Sequence, residues 1–187
     1  MKKFIAICLF LIIGVVSYVF FNTKLFSNDD IEQRVLAQQD YKLALVDRKV
    51  PIEIFVKPEW IPQVIDEELV IQEVVATIEG NEVLLDNVIY RDNDIYFSFT
   101  TKNKLHRNRG ILIANQIIEP DGRISSGSFT DELKLYTTKG EPITIGQIGI
   151  GPKFDFSFGI DLTDASNIQQ GFYVKNTSIM LYSYKKK

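Results

Sequence analysis

The chain has 187 residues, which is room for one ordinary domain and a short additional segment. Apolar residues make up 45% and charged residues 24%, values that are normal for a globular protein and argue against disorder along the whole chain. The 21 basic and 24 acidic side chains give a net charge of −3, which argues against a general nucleic-acid binder. One Cys and one His exclude an intrachain disulfide framework and a multi-histidine metal centre.

An uncharged segment, residues 4–21, follows two N-terminal lysines. As a helix it would be roughly 27 Å long, close to the hydrocarbon thickness of a bilayer. We therefore predict that residues 1–22 form a transmembrane signal-anchor, with a cytoplasmic N-terminus and an extracytoplasmic C-terminal domain. The alternative is a signal peptide cleaved after Ser17, which would give a secreted protein beginning at Tyr18. In both cases the part of the chain after Lys24 is exported, with 18 basic and 24 acidic groups and a net charge of −6.

Residues 23–49 are predicted to form a helical juxtamembrane stalk. The sequence Asn28-Asp29-Asp30 is typical of a helix start, because acidic side chains in the first turn are stabilised by the helix dipole. Apolar residues then recur at helical spacing to about Asp47. The members of this stripe are Ile31, Val35, Leu36, Leu43 and Val46. The alternative is that this helix packs onto the domain that follows it.

Residues 50–187 show the pattern of a β domain. Short apolar runs are separated by turn sequences such as Gly80-Asn81 and Pro120-Asp121-Gly122, and the clearest alternation of apolar and polar residues covers residues 154–162. Seven to nine strands with no long helix between them predict an extracytoplasmic, immunoglobulin-like antiparallel β-sandwich. A closed barrel is the alternative architecture.

The strongest local feature is a basic segment over residues 102–109. Its cationic members, with the single imidazole, are Lys102, Lys104, His106, Arg107 and Arg109. Because it falls between two predicted strands, we expect an exposed hairpin loop. Lysine and arginine at this density are suited to binding phosphate, carboxylate or an anionic headgroup surface. The alternative is a solvated loop that protects a strand edge.

Two weaker features complete the candidate binding residues. Lys185-Lys186-Lys187 forms a second basic cluster, which is explained by solubility or by contact with a membrane surface. Trp60, between Pro58 and Pro62, is either an exposed anchor for a partner or a plug at the edge of the core. No spacing of residues predicts a catalytic constellation, a metal site or a cofactor.

These observations favour a membrane-anchored, non-catalytic binding or interaction module of the cell envelope. The partner we expect is another envelope protein, bound through exposed loops or an open sheet edge. One alternative is a module that binds anionic lipid or polymer through the basic loop. A further alternative is a hydrolase-type envelope enzyme built from scattered carboxylates and His106.

Overall fold

Two open antiparallel β-sheets of five strands each make up most of the protein. The computed structural model describes residues 12–15, 27–125 and 129–187. Buried side chains from both sheets meet in one hydrophobic cluster, so the predicted antiparallel sandwich is confirmed at this level and the closed barrel is not formed.

The described residues contain twelve strands, more than the seven to nine predicted, because three strands of two residues are too short to show alternation. The strands are β1 Tyr41–Val56, β2 Glu68–Ile78, β3 Asn81–Tyr90, β4 Asp94–Lys102, β5 Arg109–Ala114, β6 Ile117–Ile118, β7 Ile124–Ser125, β8 Lys134–Thr137, β9 Pro142–Ile143, β10 Ile145–Ile150, β11 Phe156–Asp161 and β12 Phe172–Lys186. The helices are α1 Asn28–Leu36, α2 Phe129–Glu132 and α3 Ala165–Ile168, and 3₁₀ turns cover Pro58–Trp60, Pro152–Phe154 and Leu162–Asp164.

The two sheets differ in the sequence separation between the strands that pair with each other. Sheet 1 has the order β1-β12-β8-β9, and β5 also pairs with β12 beyond the end of β8. Sheet 2 has the order β10-β11-β4-β3-β2, and β6 and β7 form a separate hairpin. Strand β12 pairs with β1 along its whole length, from Phe172 to Lys186. Sheet 1 therefore joins the beginning, the middle and the end of the described chain.

Phenylalanines form the centre of the cluster between the sheets. Phe97 lies directly opposite Phe158, and Phe99 lies opposite Phe156, in the pairing of β4 with β11. The ring centroids of these pairs are 5.3 and 4.7 Å apart, and Phe158 is fully buried. The predicted alternation over residues 154–162 is thus confirmed from Phe156 to Asp161, and Leu162 begins a 3₁₀ turn. Phe154 instead lies in a 3₁₀ turn with a φ of 65° and packs into a different cluster.

That second cluster lies between α1 and the half of sheet 1 formed by the end of β12 and by β5. Ile31 and Val35 of α1 are 5% and 0% exposed and pack with Leu112, Met180 and Tyr184. Of the two interpretations of the predicted stalk helix, packing onto the domain is the one that the structure shows.

The helix begins where the sequence predicted and ends earlier. The Ser27 side chain accepts a hydrogen bond from the Asp30 backbone at 3.2 Å and caps the N-terminus. The prediction that the helix continues to about Asp47 is wrong, because α1 ends at Leu36 and β1 begins at Tyr41. Gln38 and Asp40 adopt φ values of 53° and 59°, which reverse the chain. Hydrogen bonds to β12 then stabilise a strand over residues 41–47, although the apolar residues there have a weak helical spacing.

The predicted membrane span, residues 4–21, lies outside the described residues except for the helical turn at 12–15. Within the described ranges, no helix combines the length and the apolar character needed to cross a bilayer.

Asn103 connects α1 to the free edge of β5. Its side-chain oxygen accepts the Ile113 N–H at 2.8 Å, and its amide donates to the Ile113 carbonyl at 3.2 Å and to the Glu32 carboxyl at 3.3 Å. Asn103 is 2% exposed and Glu32 is 5% exposed. A side chain therefore takes the place of the next strand in the sheet, and it holds a buried carboxyl group of α1 at the same time.

We expect Phe156→Ala to lower the free energy of unfolding by about 3–5 kcal/mol, because it removes a ring packed between Phe99 and Phe129. Urea denaturation followed by the fluorescence of Trp60, the chain's single tryptophan, measures this loss. Val70→Ala is the control, since Val70 is 71% exposed and its truncation leaves the core intact. Equal urea midpoints for Phe156→Ala and Val70→Ala would contradict the placement of Phe156 in the core.

Glu32 makes stability depend on pH. Burial raises the pKa of the Glu32 carboxyl above its usual value. Because the pKa is higher in the folded than in the unfolded state, the stability that the neutral carboxyl provides is complete below about pH 4 and is lost as the pH rises through the folded-state pKa. Glu32→Gln keeps an acceptor for Asn103 and cannot ionise.

We therefore expect Glu32→Gln to melt a few degrees above the natural protein near pH 7.5, with the difference disappearing near pH 4. Thermal melts at the two pH values measure this, and Glu59→Gln, at an exposed position, is the control. A variant that melts lower near pH 7.5 would show that the negative charge stabilises the fold.

Candidate anion-binding site

Strand register brings three cationic residues side by side. Lys42 of β1 lies directly opposite Lys185 of β12, and Lys185 lies directly opposite Arg109 of β5. All three residues are exposed. Neighbouring strands are about 4.8 Å apart, so the three backbone positions span roughly 10 Å across the sheet. We name Lys42, Lys185 and Arg109 the cationic row.

Alternation places the cationic row on the face of sheet 1 opposite α1, the same face that packs toward sheet 2 further along β5 and β12 through Ile113 and Leu181. Tyr41 and Tyr184, the neighbours of two of its lysines, are 3% and 2% exposed and belong to the cluster under α1. Successive side chains of a strand point to opposite faces, so Lys42 and Lys185 point away from α1. The packing of the two tyrosines therefore determines the side on which the lysines appear.

Within the described part of the chain, no carboxylate forms an ion pair with a member of the cationic row. Other surface cations do have such partners: Lys175 lies 2.7 Å from Glu53, Lys153 lies 2.8 Å from Asp29, and Arg123 bonds Asp121. Like charges directly opposite each other on a sheet are destabilising. The row is thus a concentration of positive charge that the neighbouring surface does not neutralise.

A shallow depression of about 510 Å³ lies beside the cationic row. Small residues line it between the charged ones, namely Ala44, Gly110 and Ser183. A Cβ at Gly110 would lie 2.5 Å from the Tyr184 hydroxyl oxygen, so a side chain is excluded there. Gly110 faces Tyr184 on the α1 side, so on the side of the cationic row the depression is lined by Ala44, Ile111 and Ser183.

Hydrogen bonds hold the backbone around the site. The Tyr184 hydroxyl accepts the His106 N–H at 2.6 Å and donates to the His106 carbonyl at 3.0 Å, and burial raises the pKa of this hydroxyl, which keeps it protonated. Tyr41 donates to the Arg107 carbonyl at 2.8 Å. The Lys186 N–H donates to the Asn108 carbonyl at 2.8 Å. The basic loop and the C-terminal tail are therefore fastened to each other next to Arg109.

The predicted basic cluster is divided by the structure. The segment is not a hairpin loop, because it carries the chain from β4 in sheet 2 to β5 in sheet 1, and buried Asn103 and Leu105 anchor it. Lys102 and Lys104 line a separate cavity beside the start of α1, where Lys104 pairs with Glu82. His106 and Arg107 are exposed, and their backbones are held by the two tyrosines. Of the five predicted residues, Arg109 is the one that belongs to the cationic row.

Trp60 lies at the other end of sheet 1. It follows β1, whose last residue, Val56, is roughly 45 Å along the strand from Lys42. The indole is partly buried against the core between the sheets, and the Lys57 ammonium lies 4.5 Å from the ring centroid. Trp60 is therefore separate from the cationic row.

Lys42 is the member of the site that the sequence did not indicate. It is an isolated lysine in a segment predicted to be helical, and no local pattern relates it to Lys185. Arg109 and Lys185 were each visible in a basic cluster, but nothing in the sequence joined the two clusters. Only the pairing of β1, β12 and β5 does so.

No family model, no curated protein and no solved structure matches this chain. The interpretation of the site therefore depends on its chemistry. Two ammonium groups and a guanidinium bind oxyanions by charge-assisted hydrogen bonds. Their spacing fits a group or surface that carries several negative charges within roughly 10 Å.

We expect Lys185→Glu to stabilise the domain, because it places an anion between two cations. A gain of about 0.5 kcal/mol in the free energy of unfolding for each of the two cross-strand pairs is reasonable at low salt. Urea denaturation at low salt and in about 1 M NaCl measures the gain, which salt should reduce. Lys139→Glu, an equal charge change in an exposed turn, is the control. If Lys185→Glu lowered the free energy of unfolding and Lys139→Glu did not, the result would contradict repulsion within the cationic row.

Proposed function

We propose that this protein is a membrane-anchored, extracytoplasmic β-sandwich that acts as a non-catalytic binding module of the cell envelope. It binds a phosphate- or carboxylate-bearing partner through the cationic row. The single observation that carries the proposal is the alignment of Lys42, Lys185 and Arg109 without a neutralising carboxylate among the described residues. A partner's anions would relieve the repulsion that the folded domain alone retains.

The members of the site favour binding over catalysis. Lysine and arginine supply charge and hydrogen-bond donors, and no carboxylate that could act as a base lines the depression beside them. This composition distinguishes the proposal from the alternative of a hydrolase-type enzyme. The anchoring of the domain in the membrane is supported by the uncharged segment 4–21 after two lysines. Secretion after cleavage near Ser17 remains the alternative for localisation.

The open edges of the sheets are less suited to a partner than the cationic row is. The edge strands β1, β2 and β10 each contain an irregularity in the pairing with their neighbour, whereas β5 and β9 are short, and Asn103 covers β5 at Ile113. Such bulges twist an edge and oppose the addition of a long partner strand. We therefore place the contact with an envelope component at the cationic row. The immunoglobulin-like form of the sandwich stays a prediction, supported by two antiparallel sheets packed face to face.

A titration of the full chain in detergent with long-chain inorganic polyphosphate tests the proposed function. Three exposed ion pairs at about 0.5 kcal/mol each correspond to about tenfold in affinity. We expect the triple variant Lys42→Gln, Arg109→Gln, Lys185→Gln to bind at least that much more weakly, by calorimetry at low salt.

The matched control removes three cations from other exposed positions, Lys57, Lys134 and Lys139, by the same change to glutamine. It lowers the net charge of the protein equally and should bind nearly as well as the natural chain. An equal loss of polyphosphate affinity in the two triple variants would mean that binding depends only on net charge. An unchanged affinity in the variant of Lys42, Arg109 and Lys185 would show that the cationic row is not the binding site.

A further inference from the structure

We infer that the face of sheet 1 opposite the cationic row holds a second binding site, whose ligand is an uncharged, extended carbohydrate chain of β-linked pyranose sugars. The inference goes beyond the proposed function and does not depend on it. It is argued from aromatic side chains that lie in a line across the sheet, from an ion pair beside them, and from the depression that these groups enclose.

Three aromatic side chains lie next to one another on three neighbouring strands. Phe55 of β1 lies directly opposite Tyr173 of β12, and Tyr173 lies directly opposite Tyr136 of β8. Pro142 of β9 continues the same line beyond Tyr136. Because neighbouring strands are about 4.8 Å apart, the line of four residues extends for roughly 14 Å across the sheet. We name Phe55, Tyr173 and Tyr136 the aromatic row.

The aromatic row points away from the core between the sheets. Its neighbours in the sequence, Val56, Phe172 and Leu135, are buried members of that core. Successive side chains of a strand point to opposite faces, so the three rings lie on the outer side of the sandwich. None of the three rings belongs to either hydrophobic cluster, and Phe55 is 39% exposed. Large rings that lie together on the surface without serving a core mark a binding site.

The backbone holds the first two rings of the aromatic row together. Gly171 has a φ of 81°, and a Cβ at this position would lie 2.7 Å from the Phe55 ring, so a side chain is excluded there. The Phe55 ring occupies the space next to Gly171 and lies 5.1 Å from the Tyr173 ring, centroid to centroid. A ligand therefore meets rings that are already in place, which lowers the entropic cost of binding.

An ion pair lies beside the aromatic row. Two residues away from the row along their strands, Glu53 and Lys175 lie directly opposite each other, and the Lys175 ammonium is 2.7 Å from the Glu53 carboxylate. This hydrogen bond raises the pKa of the Lys175 ammonium, so the pair stays charged at neutral pH. The ammonium also lies 5.9 Å from the ring centroids of Tyr136 and Tyr173. A hydrogen-bond donor and an acceptor are therefore placed side by side next to the rings.

The rings and the ion pair enclose a depression of about 550 Å³. Its remaining lining comes from the turn after β8, which includes Thr138, Lys139 and Gly140. This volume falls in the range of roughly 300–1,000 Å³ that is typical of sites for small molecules. The exposed Thr138 hydroxyl adds a group that both donates and accepts hydrogen bonds. The site thus combines ring faces with polar groups of both kinds.

The charges distinguish this site from the cationic row. An anionic ligand would meet the Glu53 carboxylate, and a cationic ligand would meet the Lys175 ammonium. The two other cations of this face, Lys134 and Lys139, are exposed beside the line of rings and offer further donors. An uncharged ligand that both donates and accepts hydrogen bonds meets no like charge here, and it can bond to both members of the ion pair.

A carbohydrate chain satisfies both parts of the site. The C–H groups on the face of a pyranose ring pack on the negative face of an aromatic ring. Neighbouring hydroxyls of the same sugar can donate to the Glu53 carboxylate and accept from the Lys175 ammonium. Chains of β-linked pyranoses are flat and extended, which fits rings placed in a straight line by the strand register.

A proline-rich peptide is the other extended ligand that binds aromatic surfaces. Proline has no backbone N–H, so a run of prolines offers carbonyl acceptors alone. Such a peptide would bring no donor to the Glu53 carboxylate, whereas a sugar hydroxyl does. The ion pair beside the rings therefore favours the carbohydrate.

Calorimetric titration of the full chain with cellohexaose and with chitohexaose tests the inference. Both are uncharged β-linked hexasaccharides, and the second carries an acetamido group on each sugar. The detergent has no sugar headgroup, because such a headgroup would compete for the site. We expect at least one of the two to bind, with an affinity that changes by less than about twofold between low salt and about 1 M NaCl, since salt does not screen an uncharged ligand.

Substitutions in the aromatic row show where the sugar binds. Tyr173→Ala removes the central ring and should weaken binding by at least about tenfold, whereas Tyr173→Phe keeps the ring and should retain most of the affinity. The matched control is Tyr96→Ala, because Tyr96 is a partly buried tyrosine on the outer side of sheet 2. It should bind like the natural chain. Tyr136→Ala makes the same test on the next strand if Tyr173→Ala does not fold, and thermal melts show which variants are folded.

Binding of neither hexasaccharide would overturn the inference, and so would equal affinities of Tyr173→Ala and Tyr96→Ala. Binding of decaproline in place of the sugars would assign the aromatic row to a proline-rich peptide and overturn the carbohydrate. The triple variant of Lys42, Arg109 and Lys185 should bind the sugar unchanged, while Tyr173→Ala should bind polyphosphate unchanged. Loss of sugar binding in that triple variant would place the sugar at the cationic row and overturn a second site.

Discussion

The pairing of β12 with β1 along its whole length is the interaction on which the rest of the structure depends. A strand of 15 residues extends for roughly 50 Å, so β12 serves two hydrophobic clusters in turn. Its first half sends Phe172 and Val174 into the core between the sheets, and its second half sends Met180 and Tyr184 into the cluster under α1. An extra residue in β12 between Asn176 and Ile179 inverts the alternation, so the aromatic row and the cationic row lie on opposite faces of sheet 1.

The cationic row lowers the stability of the folded domain, and the same charges give the domain its proposed capacity to bind anions. Lys185 lies between two other cations, an arrangement that opposes folding, while elsewhere in sheet 1 Lys175 pairs with Glu53. Nothing in the packing of the sheet requires lysine at these exposed positions, because the inward tyrosines already hold the strands. A conflict of this kind is characteristic of surfaces whose partner is absent from the folded domain alone.

Local sequence patterns predicted local structure well and failed where distant contacts decided the outcome. The alternation from Phe156 to Asp161 and the helix start at Ser27 depend on backbone geometry within a few residues, and both are confirmed. The helix end was wrong because the hydrogen bonds of β1 go to β12, far away in the sequence. The basic segment was not a hairpin loop, since turn composition does not reveal which sheet the next strand will join. Buried Asn103 gave no signal, because an asparagine in a basic stretch resembles any polar loop residue.

The sequence by itself determined that the domain is an antiparallel β-sandwich, that a helix precedes it, and that two basic clusters stand out in an acidic chain. The prediction of export also rests on the sequence alone, since residues 4–21 lie largely outside the described part of the protein. Only the tertiary structure decided that Lys42, Lys185 and Arg109 are neighbours. The physical reason is that alternation depends on the pleat of a single strand, whereas register depends on hydrogen bonds and side-chain packing between strands that are far apart in the chain.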